Sequence, residues 1–179
     1  HLANIANDPS VELDEKLSWE VNVLAGYKLI EKCIKAKIKK FIFASSGSVY
    51  GLKDEDKVTE DLSLLPISAY NKTKMIAERV FNSFNRDIEV FNIRPATVCG
   101  ISERMRLDVS VNMLTYQAVK DKKIKVFGGD QIRPNIHIDD LIDVYLHFLT
   151  KKLTPGTYNA GFENLKIIEI AEMIKLITN

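Results

Sequence analysis

"KKFIFASSGSVYG", Lys39 to Gly51, decides the fold. Phe41-Ile42-Phe43-Ala44 is a continuous apolar run, the pattern of a strand buried on both faces and not of one with a wet side. The small polar residues Ser45 to Ser48 then end it. "DIEVFNIRPATVCG", from Asp87, is a second buried strand that stops at Pro95. Between the two, Lys53 to Pro66 is charged and irregular and reads as a surface loop, and Ser68 caps a helix over Ala69 to Ser83. Upstream, Val11 to Lys37 has helical spacing, with Leu13, Leu17, Val21, Leu24 and Leu29 on one stripe. Downstream the pattern predicts a helix over Asp108 to Lys120 and a short strand in "KIKVFGGD" that turns at Gly128-Gly129. A helix from Asp139 to Thr150, a strand in "TYNAG" and a last helix from Leu165 to Ile177 follow. Strands alternating with helices predict an α/β fold with a parallel sheet covered on both faces.

Composition sets the class of partner. The chain has 179 residues, 46% apolar and 27% charged, enough for a good-sized core and too apolar for disorder. A formal charge of +1 gives no reason to expect nucleic acid or an acidic membrane surface. No apolar run approaches the ~20 residues that span a bilayer. Cys33 and Cys99 lie far apart without metal-ligand spacing, so they are expected to be buried, reduced thiols of a cytoplasmic protein, and no metal is expected. The sequence opens on neither a methionine nor a signal peptide, and reads as a piece of something longer.

In an open parallel sheet, ligands lie beyond the carboxyl ends of the strands. Ser45-Ser46-Gly47-Ser48 and Arg94-Pro95-Ala96-Thr97 reach that edge, and the helix between them carries Tyr70 and Lys74 four residues apart on one face. A free phenol, with a pKa near ~10, is a poor base at neutral pH, and an adjacent ammonium favours its ionised form. A serine hydroxyl nearby could hold a substrate oxygen. Such a group of residues suits removing the proton of an alcohol while its carbon loses hydride.

"SSGSVYG" (45–51), "YNKTK" (70–74), "RPATVCG" (94–100) and "RPNIHIDD" (133–140), with "HLAN" and "NVLAGYKLIEKC", resemble the extended short-chain dehydrogenase/reductases, in particular the NAD-dependent epimerase/dehydratase family. The resemblance implies a Rossmann-like sheet, represented by its later strands, with part of a smaller C-terminal substrate domain. Residues 1–100 would belong to the NAD-binding domain and 101–179 to a substrate-binding region interleaved with its last elements. It implies Ser46, Tyr70 and Lys74 as catalytic residues. Ala3, Asn22 and Pro95 would lie against NAD together with Tyr70 and Lys74, and Ser46, Asn112 and Arg133 against a nucleotide-diphosphate sugar. His137 and His147 are read as structural. The family's helices 12–37 and 68–84 form a dimer interface, so a homodimer is expected. Gly-x-x-Gly-x-x-Gly occurs nowhere in the sequence, so the first βαβ portion and part of the C-terminal domain are expected to be lacking. Cys99 stands where the family commonly has tyrosine.

The residues also discriminate among reactions. The 4,6-dehydratases of the family carry Asp and Glu after the catalytic Ser/Thr, where this chain has Gly47 and Ser48. Eliminating water needs an acid at the leaving hydroxyl, and neither residue supplies one. The expectation is an epimerase acting at C4 through a 4-keto sugar. A 4-keto-sugar reductase is the second reading and a 4,6-dehydratase the third, with a non-catalytic nucleotide-sugar-binding fragment as the reading of a different class.

Overall fold

The computed structural model describes residues 1–55 and 57–178. Both apolar runs form strands, and they pair with each other: β1 (Lys40–Ala44) lies parallel to β2 (Glu89–Pro95), with Phe41 opposite Val90 and Phe43 opposite Asn92. Phe41, Phe43, Val90, Phe91 and Ile93 are all buried, as a strand covered on both faces requires. The segment at His1 runs along the other edge of β1. His1 N donates to Ile42 O at 2.6 Å, and Ala44 N donates to His1 O at 3.2 Å.

The helical region before β1 is not one helix. Asp14 takes an extended conformation and its carboxylate accepts from Leu17 N, so it caps a new helix instead of continuing the old one. The chain therefore runs as α1 (Asp8–Glu12), α2 (Glu15–Trp19), a π turn over Glu20–Leu24, and α3 (Ala25–Lys35). The stripe of leucines faces outward, with Leu13, Leu17, Leu24 and Leu29 exposed. The face turned inward carries Val11, Ser18, Asn22, Val23, Gly26 and Ile30. Polar residues can occupy it because they have partners: Ser18 Oγ donates to Asp14 O at 2.8 Å, and Asn22 is described below.

After β1 the chain makes a single 3₁₀ turn, Gly47–Tyr50, and then α4 (Ala69–Asn82), whose N-terminus is capped by Ser68 Oγ accepting from Asn71 N at 3.2 Å. Phe81 of α4 inserts between Phe41 and Phe43, with ring centroids 4.9 and 4.7 Å away. Ile30, Ala77, Ile88 and Val90 complete this core.

The described residues divide into two compact units. The first comprises His1–Pro95 and Leu146–Asn159; the second comprises Ala96–Tyr145 and the residues from Ala160 onward. In the first, β5 (Gly156–Ala160) is the strand beside β2. In the second, β3 (Thr97–Cys99) is parallel to β4 (Ile132–His137), and β4 is antiparallel to β6 (Glu163–Lys166). Helices α5 (Ser110–Asp121) and α7 (Ile167–Thr178) pack through Leu114, Ala118, Ile170, Ala171 and Ile174. α6 (Ile138–Thr150) begins in the second unit and ends in the first.

Three expectations need correction here. The second sheet is mixed, not parallel. "KIKVFGGD" forms no strand; its Lys125 N–H donates to the side-chain oxygen of Gln117 in place of a neighbouring strand. Instead "RPNIH", read as a lead-in to α6, is the central strand β4, and β6 precedes α7. Both cysteines are free thiols, half-buried and not fully enclosed.

Candidate active site

Helix α4 presents Tyr70, Lys74 and Glu78 at successive intervals of four, so all three lie on one face. Tyr70 is half-buried. Lys74 is only 3% exposed. Its ammonium donates to Ala44 O at 2.7 Å and to Asn4 Oδ1 at 3.0 Å. It also lies 4.8 Å from the centre of the Phe43 ring and 5.7 Å from that of Tyr70. Burial disfavours the charged form and pulls the Lys74 pKa from 10.5 down to about 8, against the opposing pull of Glu78.

One turn further on, Glu78 is buried and fully paired. Its carboxylate accepts from Arg94 Nε at 2.9 Å and from the Arg94 terminal nitrogen at 2.6 Å, and also from Ser45 Oγ. Arg94 in turn donates to Tyr50 Oη at 2.7 Å, and Tyr50 donates to Asn159 Oδ1 at 2.8 Å. This network fastens α4 to the carboxyl ends of β1 and β2, where the serine segment begins.

The serine segment joins the same helix a second way. Ser46 caps the 3₁₀ turn, its Oγ accepting from Ser48 N at 3.3 Å. Ser46 Oγ and Ser48 Oγ are 2.7 Å apart, and Ser48 Oγ donates to Asn71 Oδ1 at 2.5 Å. Asn71 thereby ties the serine turn to the first turn of α4, the turn that carries Tyr70. Gly47 has no side chain for a spatial reason: a Cβ there would lie 3.1 Å from Pro95 O.

The remaining residues singled out from the sequence are placed as follows. Asn22 is fully buried, and its amide is committed within the chain. Its oxygen accepts from Ile5 N at 2.8 Å and Asn4 Nδ2 at 3.2 Å, and its nitrogen donates to Ile5 O at 2.9 Å and Thr73 Oγ1 at 3.1 Å. It reaches the site through Asn4, which bridges it to Lys74. Ala3 is exposed beside that bridge, and Pro95 is half-buried at the end of β2. In the second unit, Asn112 is buried and bonded to the backbone of Gly100 and Arg106, so its amide pins the preceding loop to α5. Arg133 on β4 is exposed and donates to Gln131 Oε1 at 3.4 Å. Sequence reasoning missed Asn4, Asn71 and Glu78. Glu78 had a signal, since it repeats the interval from Tyr70 to Lys74; Asn4 and Asn71 had none, because their partners are distant in the chain.

The sequence profile described as the NAD dependent epimerase/dehydratase family matches residues 1–161. The chain belongs to that family. An uncharacterized UDP-glucose epimerase of Bacillus subtilis, YtcB, is 33% identical over 88% of this chain and 50% of its own length. A UDP-glucose 4-epimerase of Lactobacillus helveticus is 27% identical, over 87% of this chain and 54% of its own. Among solved structures, the UDP-glucuronic acid 4-epimerase of Bacillus cereus in complex with UDP-glucuronic acid and NAD superposes with a TM-score of 0.86 at 31% identity, covering 98% of this chain and 57% of that one. MoeE5 in complex with UDP-glucuronic acid and NAD gives 0.87 at 26% identity, with 99% and 61% covered. The chain spans about half the length of the curated relatives it matches. Its α/β fold is the Rossmann-type fold of this family. No helix among the described residues is long and apolar enough to cross a membrane.

Proposed function

We propose that the protein to which this chain belongs is an NAD-dependent nucleotide-sugar epimerase acting at C4 through a 4-keto intermediate. The observation that carries this reading is a buried ammonium, Lys74, on the helix face of Tyr70, beside a serine turn that offers hydroxyls and no carboxylate. The relatives named above, 4-epimerases of UDP-sugars among them, support it.

The residues present fit the nicotinamide-ribose end of a dinucleotide. An ammonium has three protons; Lys74 gives two to Ala44 O and Asn4, which leaves a third for a ribose hydroxyl. When bound, NAD would supply the hydride acceptor and donor for the sugar carbon. Tyr70, on the helix face of Lys74, would take the proton of the sugar hydroxyl and later return it. Ser46 would hold a hydroxyl of the sugar, and Pro95 would form the wall of the ring site. Exposed Arg133 would bind the sugar diphosphate. Expulsion of water is disfavoured because Gly47 and Ser48 have no proton of suitable acidity for a leaving hydroxyl.

A homodimer belongs to the same reading. Leu13, Leu17, Leu24, Tyr27 and Leu29 form an exposed apolar run on α1–α3, of the kind that a second helical surface covers.

The deciding experiment incubates the full-length protein with NAD and UDP-, GDP-, CDP- and dTDP-sugars and follows the products by NMR. A C4 epimer is expected. A stable 4-keto-6-deoxy product would transfer the protein to the dehydratases, net consumption of NADH to the reductases, and binding without turnover to the non-catalytic reading.

A further inference from the structure

The chain of bonds that leaves the buried Glu78–Arg94 pair continues past Asn159, and its direction is fixed link by link. A guanidinium only donates, so Tyr50 Oη accepts from Arg94 at 2.7 Å, and the one phenolic proton goes to Asn159 Oδ1 at 2.8 Å. With its amide oxygen so occupied, Asn159 turns its amide nitrogen to Val58 O at 2.9 Å. Its backbone N–H donates to Glu60 Oε1 at 2.7 Å. Asn159 lies on β5, the outer strand of its sheet among the described residues, and a carboxylate takes this N–H where a further strand would otherwise pair.

Val58 and Glu60 belong to the charged loop between the 3₁₀ turn and α4. That loop closes on itself at its base: a Cβ on Gly51, whose φ is +72°, would strike Leu65 O. Lys53 Nζ donates to Ser63 Oγ at 3.2 Å, and Leu62 N donates to Thr59 O at 3.2 Å in the turn that holds Glu60. A loop with its ends together and bonds of its own moves as one piece. The two bonds from Asn159 that hold its middle to β5 are exposed, whereas Tyr50, Arg94 and Glu78 are buried.

We propose that Glu60 and Asn159 form a clip that fastens this loop as a strap over the edge of β5, and that the strap opens as a unit while the buried chain from Tyr50 to Glu78 stays closed. The division falls within Asn159. Its side-chain oxygen belongs to the buried chain, and its two donors, the amide nitrogen and the backbone N–H, belong to the strap. Opening exchanges two exposed hydrogen bonds for bonds to water, and Leu52, Val58 and Leu65 are already exposed, so little apolar surface is newly wetted. Both ends of the strap join elements of the candidate site, the 3₁₀ turn and the Ser68 cap of α4, and the base at Gly51 and Leu65 keeps its movement from reaching them.

Trypsin cleavage after Lys57 in the native full-length protein, located by mass spectrometry, reads the population of the open strap. Glu60→Ala should speed this cut about tenfold, the loss of one charge-assisted bond, with the urea midpoint unchanged. Glu60→Gln keeps an acceptor for the Asn159 N–H and should be cut close to the wild-type rate. Asn159→Asp keeps the acceptor for Tyr50 but sets a carboxylate oxygen against Val58 O, and should be cut at least as fast as Glu60→Ala. Equal rates in the wild type and Glu60→Ala overturn the proposal. A Glu60→Gln rate as high as that of Glu60→Ala overturns it too, since the acceptor would then not hold the strap. So does a faster cut matched by a fall in the urea midpoint, because the loop would then open only with the whole fold.

Discussion

Asn4 Oδ1 accepts a hydrogen bond from Lys74 Nζ across 3.0 Å, and Asn4 is itself held by Asn22. The two partners lie 70 residues apart in the chain, yet among the described residues Asn4 supplies the side-chain acceptor for that ammonium. An acceptor on the charged form raises the pKa of a lysine. Asn4→Leu is therefore expected to lower the Lys74 pKa below about 8, and Asn4→Asp to raise it. In the full-length enzyme the basic limb of the pH–rate profile should move down in the first variant and up in the second. A limb that moves in neither shows that Asn4 does not set the charge.

Lys74 also makes stability depend on pH. Its folded pKa, about 8, lies below the unfolded value of 10.5. Between those two values the unfolded chain holds a proton that the folded chain has released, so stability rises with pH across this window, and below about 8 the burial cost is present in full. Relative to Lys74→Met, which has no such group, the wild type should gain on the order of 3 kcal/mol between pH 8 and pH 10.5. Urea unfolding of both proteins at pH 7, 9 and 10 measures this; parallel curves would show that the ammonium is not desolvated.

The pair Glu78–Arg94 is buried on both sides, with side-chain exposures of 3% and 5%. Removing one partner leaves an uncompensated charge inside the protein. Glu78→Ala should cost about 3–5 kcal/mol in chemical denaturation. The combined Glu78→Met/Arg94→Met variant should recover a large part of that loss, because no charge is then stranded.

Tyr70→Phe keeps the ring and removes the proton-carrying oxygen. If the catalytic reading is right, the full-length variant folds with unchanged circular dichroism and loses roughly 10²–10⁴ in kcat. Wild-type turnover would withdraw Tyr70 from the chemistry.

The exposed leucines can be tested apart from catalysis. Leu17→Lys together with Leu24→Lys introduces charge on an apolar face that the core does not use. Light scattering after size-exclusion chromatography should show a dimer for the full-length wild type and a monomer for the variant, with the melting temperature little changed otherwise.

Strand β1 and helix α4 were legible because each has a local signature, an unbroken apolar run in one case and a serine cap before periodic residues in the other. The break at Asp14 was less visible, since an aspartate in a periodic stretch can be either surface or cap, and only its backbone shows which. β4 was missed because only Ile132 and Ile136 of its six residues are aliphatic, with Arg133 and Pro134 between them; its partners on both sides, β3 and β6, define it. In the site, Tyr70, Lys74 and Ser46 stand out through spacing and family likeness. Asn4, which bonds Lys74, and Asn71, which bonds Ser48, act across the fold, where spacing along the chain gives no information about distance; Glu78 alone repeats the helical interval.

The π turn over Glu20–Leu24 has a bearing on how the length of this region can vary. Such a turn accommodates one residue more than an α-helical turn does. Deleting a single residue there would let the helix close as an ordinary α-helix with Gly26 and Ile30 still against the Phe81 core, whereas a deletion within α3, which has no such slack, would turn the residues after it by about 100°. The segment should thus tolerate the loss of one residue at the π turn far better than the same loss one turn later.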